Sequence, residues 1–362
     1  MNCINQVVTD QYAIYNGDCV EVIAGLPDNS VDYSIFSPPF SSLYTYSNSP
    51  RDMGNARNDG EFFDQFQFLI KQLARVMKPG RNVSFHCMQL PTSKERDGYI
   101  GLKDFRGELI RAFQGNEAAE FHAVIRRLQR RMIEANNQED AARFAKLESV
   151  CMDMQDELSR HPSDAGFIYA SEVTIWKDPV TAMQRTKALG LLHKTVRGNG
   201  SFSRQGIADY LVTMRAPGDI ADDNKVRHYR DEAELEIESA KAGVDREALE
   251  CNLLPVQEWQ GLASPIWMDI NPSDTLQYKS AREHDDERHI CPLQLEVIRR
   301  GIKLWTNPGD VVLTPFLGIG SEVYTAVEMG RRGIGTELKE SYFGQAAKNI
   351  ASLSQQSDMF SM

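Results

Sequence analysis

No apolar run in the 362-residue chain approaches the roughly 20 residues that a membrane-spanning helix requires. The six cysteines, at positions 3, 19, 87, 151, 251 and 291, include no C-x-x-C pair. Such scatter argues against a structural zinc and suits reduced thiols in a cytosol. Met1 to Gln6 lack a charged start followed by an apolar core, so no signal peptide is expected. No internal repeat or low-complexity tract appears, apart from a short polar tail from Ser352 to Met362.

Positive charge is also scarce. The formal net charge of −11 opposes a generic nucleic-acid binder, whose electrostatic footprint is basic. Distribution softens that objection. Between Arg185 and Arg215, through Lys187, Lys194, Arg197 and Arg204, the only acid is Asp209, and Gly198-Asn199-Gly200-Ser201 loosens the stretch. A second basic run holds Lys94, Arg96, Lys103 and Arg106 beside Tyr99 and Phe105. Basic residues mixed with aromatics and glycines suit contact with phosphates and bases, or else form an ordinary solvated surface. Hydrophobic residues at 41% and charged residues at 25% are ordinary for a soluble chain, and the length allows one large α/β domain with insertions or two modest domains.

Against this background one tetrapeptide stands out. The apolar run Val31-Asp32-Tyr33-Ser34-Ile35-Phe36 ends in Ser37-Pro38-Pro39-Phe40. A strand stopping on two prolines presents stiff carbonyls without competing amide hydrogens. With a hydroxyl on one side and an aromatic ring on the other, it could grip a flat ring bearing an exocyclic amine. Taken alone it could equally be a plain strand exit.

The other end of the chain supports the first reading. Val311-Val312-Leu313 predicts a strand, Thr314-Pro315-Phe316-Leu317-Gly318-Ile319-Gly320-Ser321 a tight turn, and Val323 to Met329 a helix. Gly318 and Gly320 let backbone approach a ligand, and the helix start offers unpaired amides. A second strand, Gly333-Ile334-Gly335-Thr336, ends in Glu337, about twenty residues past the turn, where a dinucleotide-type fold holds ribose hydroxyls. The last glycine of G-x-G-x-x-G is absent, which speaks against a nicotinamide enzyme.

Together these segments resemble the β group of S-adenosylmethionine-dependent DNA amino-methyltransferases, in which the target-base motif precedes the cofactor motif, and they look like the DNA methylases of bacteriophages. The family motif Asp/Ser-Pro-Pro-Tyr/Phe/Trp is matched by Ser37, Pro38, Pro39 and Phe40. Its cofactor loop, Asp-Pro-Phe-x-Gly-x-Gly-Ser/Thr, is matched by Pro315, Phe316, Gly318, Gly320 and Ser321, with Thr314 where the family carries Asp. Flanking matches are Gly17-Asp18-Cys19, Lys78-Pro79-Gly80, His289-Ile290-Cys291-Pro292 and Asn307-Pro308-Gly309-Asp310.

The resemblance implies a Rossmann-like methyltransferase fold, with a mixed, mostly parallel α/β sheet of about seven to eight strands. It implies S-adenosyl-L-methionine held by Asp18, Cys19, His289, Pro292, Thr314, Pro315, Phe316, Gly318, Gly320, Ser321 and Glu337. Asp18 would face the adenine and Glu337 the ribose, while His289 could instead simply open a helix. Threonine at 314 brings no charge for an ammonium, so either another carboxylate compensates or binding is weaker.

The expected organisation is a catalytic half over 1–115, a helical hairpin over 116–162, further catalytic sheet with the basic loop over 163–218, a variable insertion over 219–288, a cofactor half over 289–353 and a tail over 354–362. The hairpin, with Arg126, Arg127, Arg130 and Arg131, is read as a scaffold, as a self-association element that would support a homodimer, or as a reach to phosphates. Target recognition falls either to 219–288 or to the Leu90–Arg106 loop.

The expected reaction is methyl transfer to the exocyclic amine of a flipped base in double-stranded DNA, in a bacterial or phage-infected cytoplasm. Ser37 and the Pro38 carbonyl would accept the amine hydrogens, and Phe40 would stack on the base. No metal is called for. Serine at the first motif position favours N4 of cytosine over N6 of adenine. RNA, a protein amide, or a non-catalytic DNA-binding role on the same fold are the alternatives.

Overall fold

The computed structural model describes the chain except residues 1–2, 41–50, 93, 116–127, 129–130, 133, 137–139, 161–165, 187–188, 244, 247–248, 250–251, 278–291 and 361–362. The strands are β1 Asn5–Val8, β2 Tyr12–Asn16, β3 Val31–Phe36, β4 Met77–Met88, β5 Leu90–Thr92, β6 Gly101–Lys103, β7 Ile168–Ile175, β8 Asp209–Arg215, β9 Ile266–Trp267, β10 Val311–Thr314 and β11 Arg332–Glu337. Nine of them form one sheet in the order β1-β2-β11-β10-β3-β4-β8-β7-β9, and β5 pairs with β6 as a separate hairpin. Strands β2, β11, β10, β3 and β4 run parallel, while β8 runs against β4 and β7 runs against β8.

Sequence explains the centre of this sheet. All six residues of β3 are buried, as expected of a parallel strand covered on both faces. Tyr33 and Ile35 pack with Val312, Leu211, Val297, Ile298 and Ile302, whereas Phe36 joins Phe62, Phe66, Leu69 and Phe85 on the opposite face. Asp32 is buried at the amino end of β3. It accepts from Lys78 Nζ at 2.7 Å and from the Val311 amide at 2.9 Å, which ties β4 and β10 to β3.

The helices that complete the layers are α1 Cys19–Ala24, α2 Asp59–Val76, α3 Phe105–Gln114, α4 Leu295–Trp305, α5 Ser321–Glu328 and α6 Glu340–Phe360. α2 opens with a reciprocal cap: Asn58 Oδ1 accepts from the Glu61 amide at 3.0 Å and Glu61 accepts from the Arg57 amide at 2.7 Å. Its buried Phe62, Phe66, Leu69, Ile70 and Leu73 form the apolar stripe of a helix lying on a sheet. α4 buries Leu295, Val297, Ile298 and Ile302 on the other face.

The sheet has nine strands where sequence predicts seven to eight. The two strands expected at 167–169 and 173–176 are one, β7, with an irregularity between Tyr169 and Ser171. β1 and β9 are additional. β1 is a mostly exposed edge strand and β9 is two residues long, so neither carries an apolar alternation to read. Of the expected hairpin, the helix Ala141–Arg160 is described. Arg126, Arg127 and Arg130 lie outside the described residues.

The chain leaves the carboxyl ends of β2, β3, β4, β10 and β11 along one edge of the sheet. β7 ends and β8 begins at that same edge, because Ile175 and Met88 both pair with Asp209. The segment after β8 begins at the opposite, amino edge. Arg81 donates to the Asn224 carbonyl at 2.7 Å, the Arg227 amide donates to Asn307 Oδ1 at 3.0 Å, and buried Arg331 pairs with Asn252. Among the described residues no helix is long and apolar enough to cross a membrane.

Candidate active site

β3 and β10 are hydrogen-bonded neighbours, with Leu313 opposite Ser34, and Ser34 Oγ donates to the Leu313 carbonyl at 2.9 Å. Ser37 to Phe40 and Thr314 to Ser321 therefore emerge side by side. The rings of Phe36 and Phe316 meet across the junction with centroids 5.7 Å apart. The two motifs are thus neighbours at the carboxyl edge of the sheet.

On the cofactor side, the loop after β10 folds back on β11. The Leu317 amide donates to the Thr336 carbonyl at 2.8 Å and Thr336 Oγ1 donates to the Pro315 carbonyl at 2.5 Å. Gly318 and Gly320 take φ values of +53° and +96°, which glycine alone adopts without strain. A Cβ on Gly320 would meet Ala346 at 3.2 Å, whereas a Cβ on Gly318 would meet nothing within 4 Å. Gly320 fits against α6, and Gly318 borders open space.

Glu337 closes the far side of the loop. Its carboxylate accepts from the Gly318 amide at 2.8 Å and from the Lys339 amide at 2.8 Å. Burial pushes its proton affinity up to about 7, the two amides opposing the rise, although the residue remains half-buried rather than fully enclosed. Glu322, in the first turn of α5, is 5% exposed. Burial, with Glu337 adding to it, pushes Glu322 up to about 8. Sequence reading missed Glu322; an acid just after G-x-G-S was its only signal.

Among the described residues, buried polar atoms without a hydrogen-bond partner along this edge include Thr314 Oγ1, Ser321 Oγ and Asn16 Oδ1 on the cofactor side and His86 Nε2 and Asp209 Oδ1 on the catalytic side. Orphaned acceptors and donors, an open Gly318 face and two carboxylates suit a polar ligand with hydroxyl and ammonium groups. The donor set fits S-adenosylmethionine. Asp18 stands at the start of α1, where Oδ1 accepts from the Val20 amide at 2.8 Å and the Glu21 amide at 3.2 Å. Cys19 lies in the core rather than in the crevice, and burial pushes its thiol well up. Pro292 is half-buried just before α4, and His289 lies outside the described residues.

On the catalytic side Pro38 and Pro39 are buried, while Ser37 and Phe40 are half-buried. Phe40 sets an edge against Phe105 at 6.3 Å. Ser37 Oγ lies 3.4 Å from His86 Nδ1 at the end of β4. His86 Nε2 stands 3.1 Å from Asp209 Oδ2, which also receives Lys177 Nζ at 2.5 Å. Neither His86 nor Asp209 was singled out by sequence.

The basic residues divide. Lys103 is committed to Asp59 at 2.9 Å and Asp97 at 3.2 Å, and those acids raise its proton affinity. Arg106 pairs with Glu172 at 3.0 Å and lies over the Tyr210 ring. Both brace the β5–β6 hairpin and β7 rather than standing ready for phosphates. Arg204 donates to the Gln205 carbonyl and packs on Gly190. Lys94, Lys194 and Arg197 are exposed. Lys187 and the side chains of Arg96 and Arg185 lie outside what is described.

A family model for DNA methylases, the N6/N4 methyltransferases, matches residues 31–348. The chain belongs to this DNA methylase family. Its members are S-adenosylmethionine-dependent enzymes that methylate amino nitrogens. The Type II methyltransferase M.BglII of Bacillus subtilis is 22% identical over 331 residues, covering 91% of this chain and 66% of that relative. M.BglI of Bacillus subtilis is 23% identical over 353 residues, covering 93% of this chain and 85% of its own length. These relatives are bacterial and lend no support to the bacteriophage likeness.

Two solved structures share the family fold. The Thermus thermophilus protein TTHA0409, described as a DNA modification methylase and solved with S-adenosyl-L-methionine, superposes with a TM-score of 0.53 at 19% identity, covering 94% of this chain and 93% of its own. The PvuII DNA methyltransferase, described as cytosine-N4-specific, gives a TM-score of 0.52 at 14% identity, covering 96% and 90%.

Proposed function

We propose that the protein transfers a methyl group from S-adenosylmethionine to the exocyclic amine of a flipped base in double-stranded DNA, and that the base is cytosine, methylated at N4. The observation that carries this reading is the pairing of β3 with β10, which brings Ser37 to Phe40 and the glycine turn to one edge. An aromatic amine is a weak nucleophile, since its lone pair is shared with the ring. Hydrogen bonds accepted by Ser37 Oγ and the Pro38 carbonyl hold the nitrogen toward the methyl donor, and placement supplies most of the rate. Serine rather than aspartate at the head of the tetrapeptide supports cytosine. Nucleoside mass spectrometry of DNA from expressing cells tests the choice. N4-methylcytosine is expected, and N6-methyladenine alone would reverse it.

On the cofactor side we assign Glu337 to the ribose hydroxyls and the Gly318 to Gly320 turn to the methionine portion. Glu322, which holds its proton in the free protein, ionises beside the cofactor's ammonium and so supplies the charge that Thr314 lacks. Calorimetry with S-adenosylmethionine separates this from the non-catalytic alternative, which expects no binding even at millimolar cofactor.

For the DNA we assign the segment between β7 and β8, residues 176–208, as the recognition element in preference to the expected 219–288 insertion or Leu90–Arg106 loop. It leaves and re-enters the sheet at the edge where Ser37 lies, and it exposes Lys194, Arg197, Trp176 and Phe202. Asn224, Arg227 and Asn252 are instead held at the amino edge by Arg81, Asn307 and Arg331. Exposed cations beside exposed rings suit phosphate contact with base stacking.

A further inference from the structure

We propose that His86, held by Asp209 and Lys177, is a positioning residue that orients the Ser37 hydroxyl and takes up the proton the amine sheds on methylation. The inference rests on the methyl-transfer reading above. Asp209 is 2% exposed at the first position of β8. Burial would raise its proton affinity, but His86 and Lys177 outweigh that and hold the carboxylate below its usual range. The ionised Asp209 carboxylate stands 3.1 Å from Nε2, at ion-pair distance but outside hydrogen-bond geometry, and its charge favours the tautomer with the proton on Nε2. Nδ1 is then a bare acceptor 3.4 Å from Ser37 Oγ, a loose contact of the sort that tightens when substrate is bound. With the Ser37 proton turned to His86, the serine lone pairs face the amine.

Burying a carboxylate against an imidazole and an ammonium is expensive, and an apolar trio would often serve stability as well. The arrangement ends on the one hydroxyl in the tetrapeptide. When bound, the cofactor supplies the methyl group as an electrophile, the carbon–sulfur electrons staying on sulfur as the nitrogen lone pair forms the new bond. The nitrogen then passes one proton to Ser37 Oγ, and Ser37 passes its own to His86 Nδ1. The resulting imidazolium faces the Asp209 carboxylate, and the methylated amine leaves neutral. The lysine end of the chain, Lys177, opens the 176–208 segment, so the relay is anchored in the element assigned to DNA.

The test is single-turnover methyl transfer to duplex DNA by wild type, H86A, H86N and D209N, with cofactor affinity measured by calorimetry. In H86N the amide oxygen can accept the Ser37 hydroxyl in place of Nδ1 but cannot hold a proton. All three variants are expected to lose about 10²–10⁴-fold in the chemical step, with cofactor Kd within about twofold and little change in KM for DNA. H86N or H86A within about threefold of wild type overturns the relay. Nitrogen-15 NMR of the wild-type histidines is a second arm that needs no variant. An unprotonated Nδ1 on His86 is expected, and a proton on Nδ1 sinks the proposal. A wild-type protein that methylates no DNA would instead overturn the reading beneath it.

Discussion

Glu337 lies close enough to Glu322 to add to its rise, and both hold protons that exposed carboxylates would have lost. For Glu337 the sign follows from its rise from 4.5 to about 7. Between those values the folded protein binds a proton that the unfolded chain has released, so the free protein loses stability as pH rises through that window. Ribose hydroxyls donating to Glu337 favour its charged form. Cofactor binding near pH 6.5 should therefore release protons, and calorimetry in buffers of different ionisation enthalpy measures the number. E337Q should reduce that number; an unchanged release would remove Glu337 from the ribose. At the other motif, S37A should lower the single-turnover rate by roughly 10²–10³-fold while cofactor affinity stays within about twofold. Ser37 and Glu337 were both readable from short spacings in the chain. His86 was not, because its contact with Ser37 spans 49 residues and depends on the registers of β4 and β8. Lys103 and Arg106 misled for the same reason: charge is visible in sequence, but the acids that consume it are not.

Among the elements, the glycine turn is held in place by β11. A Cβ on Gly335 would stand 2.6 Å from Leu317 Cδ1 and 3.1 Å from Val323 Cγ2. G335A should therefore push the turn off the strand, costing about 1–3 kcal/mol of stability and weakening cofactor binding. Thermal denaturation and calorimetry check the two effects together, and a variant with wild-type values in both would show that the turn is not braced there. β3, β8 and β10 were legible because burial on both faces writes a nearly continuous apolar run. β1 and β9 were not, since an exposed edge and a two-residue strand leave no such run. The irregularity that joins two expected strands into β7 is likewise a property of its pairing with β8.

At the scale of the whole molecule, the net charge of −11 conceals an uneven edge. K194E/R197E should weaken binding to duplex DNA and flatten its salt dependence by up to about 1.8 in log–log slope, near 0.9 for each phosphate no longer neutralised. K241E, on the helix Glu232–Ala242 between Arg227 and Asn252, should leave both unchanged. Fluorescence anisotropy across a salt series measures the two variants, and equal losses would remove the 176–208 assignment. The strand order has a further consequence, for the birth of the molecule. β2 and β3 are adjacent in sequence, yet β11 and β10 lie between them in the sheet. Until residues 311–337 leave the ribosome, the amino-terminal hairpin has no strand to join, and one side of β3 is bare. Contacts that span 279 residues close slowly, after shorter-range pairing has formed. The nascent chain thus carries the Ser37 to Phe40 tetrapeptide at an unfinished sheet border, and strands synthesised much later are wedged into the middle. Truncation before residue 311 leaves a protein without a centre rather than one lacking only an end.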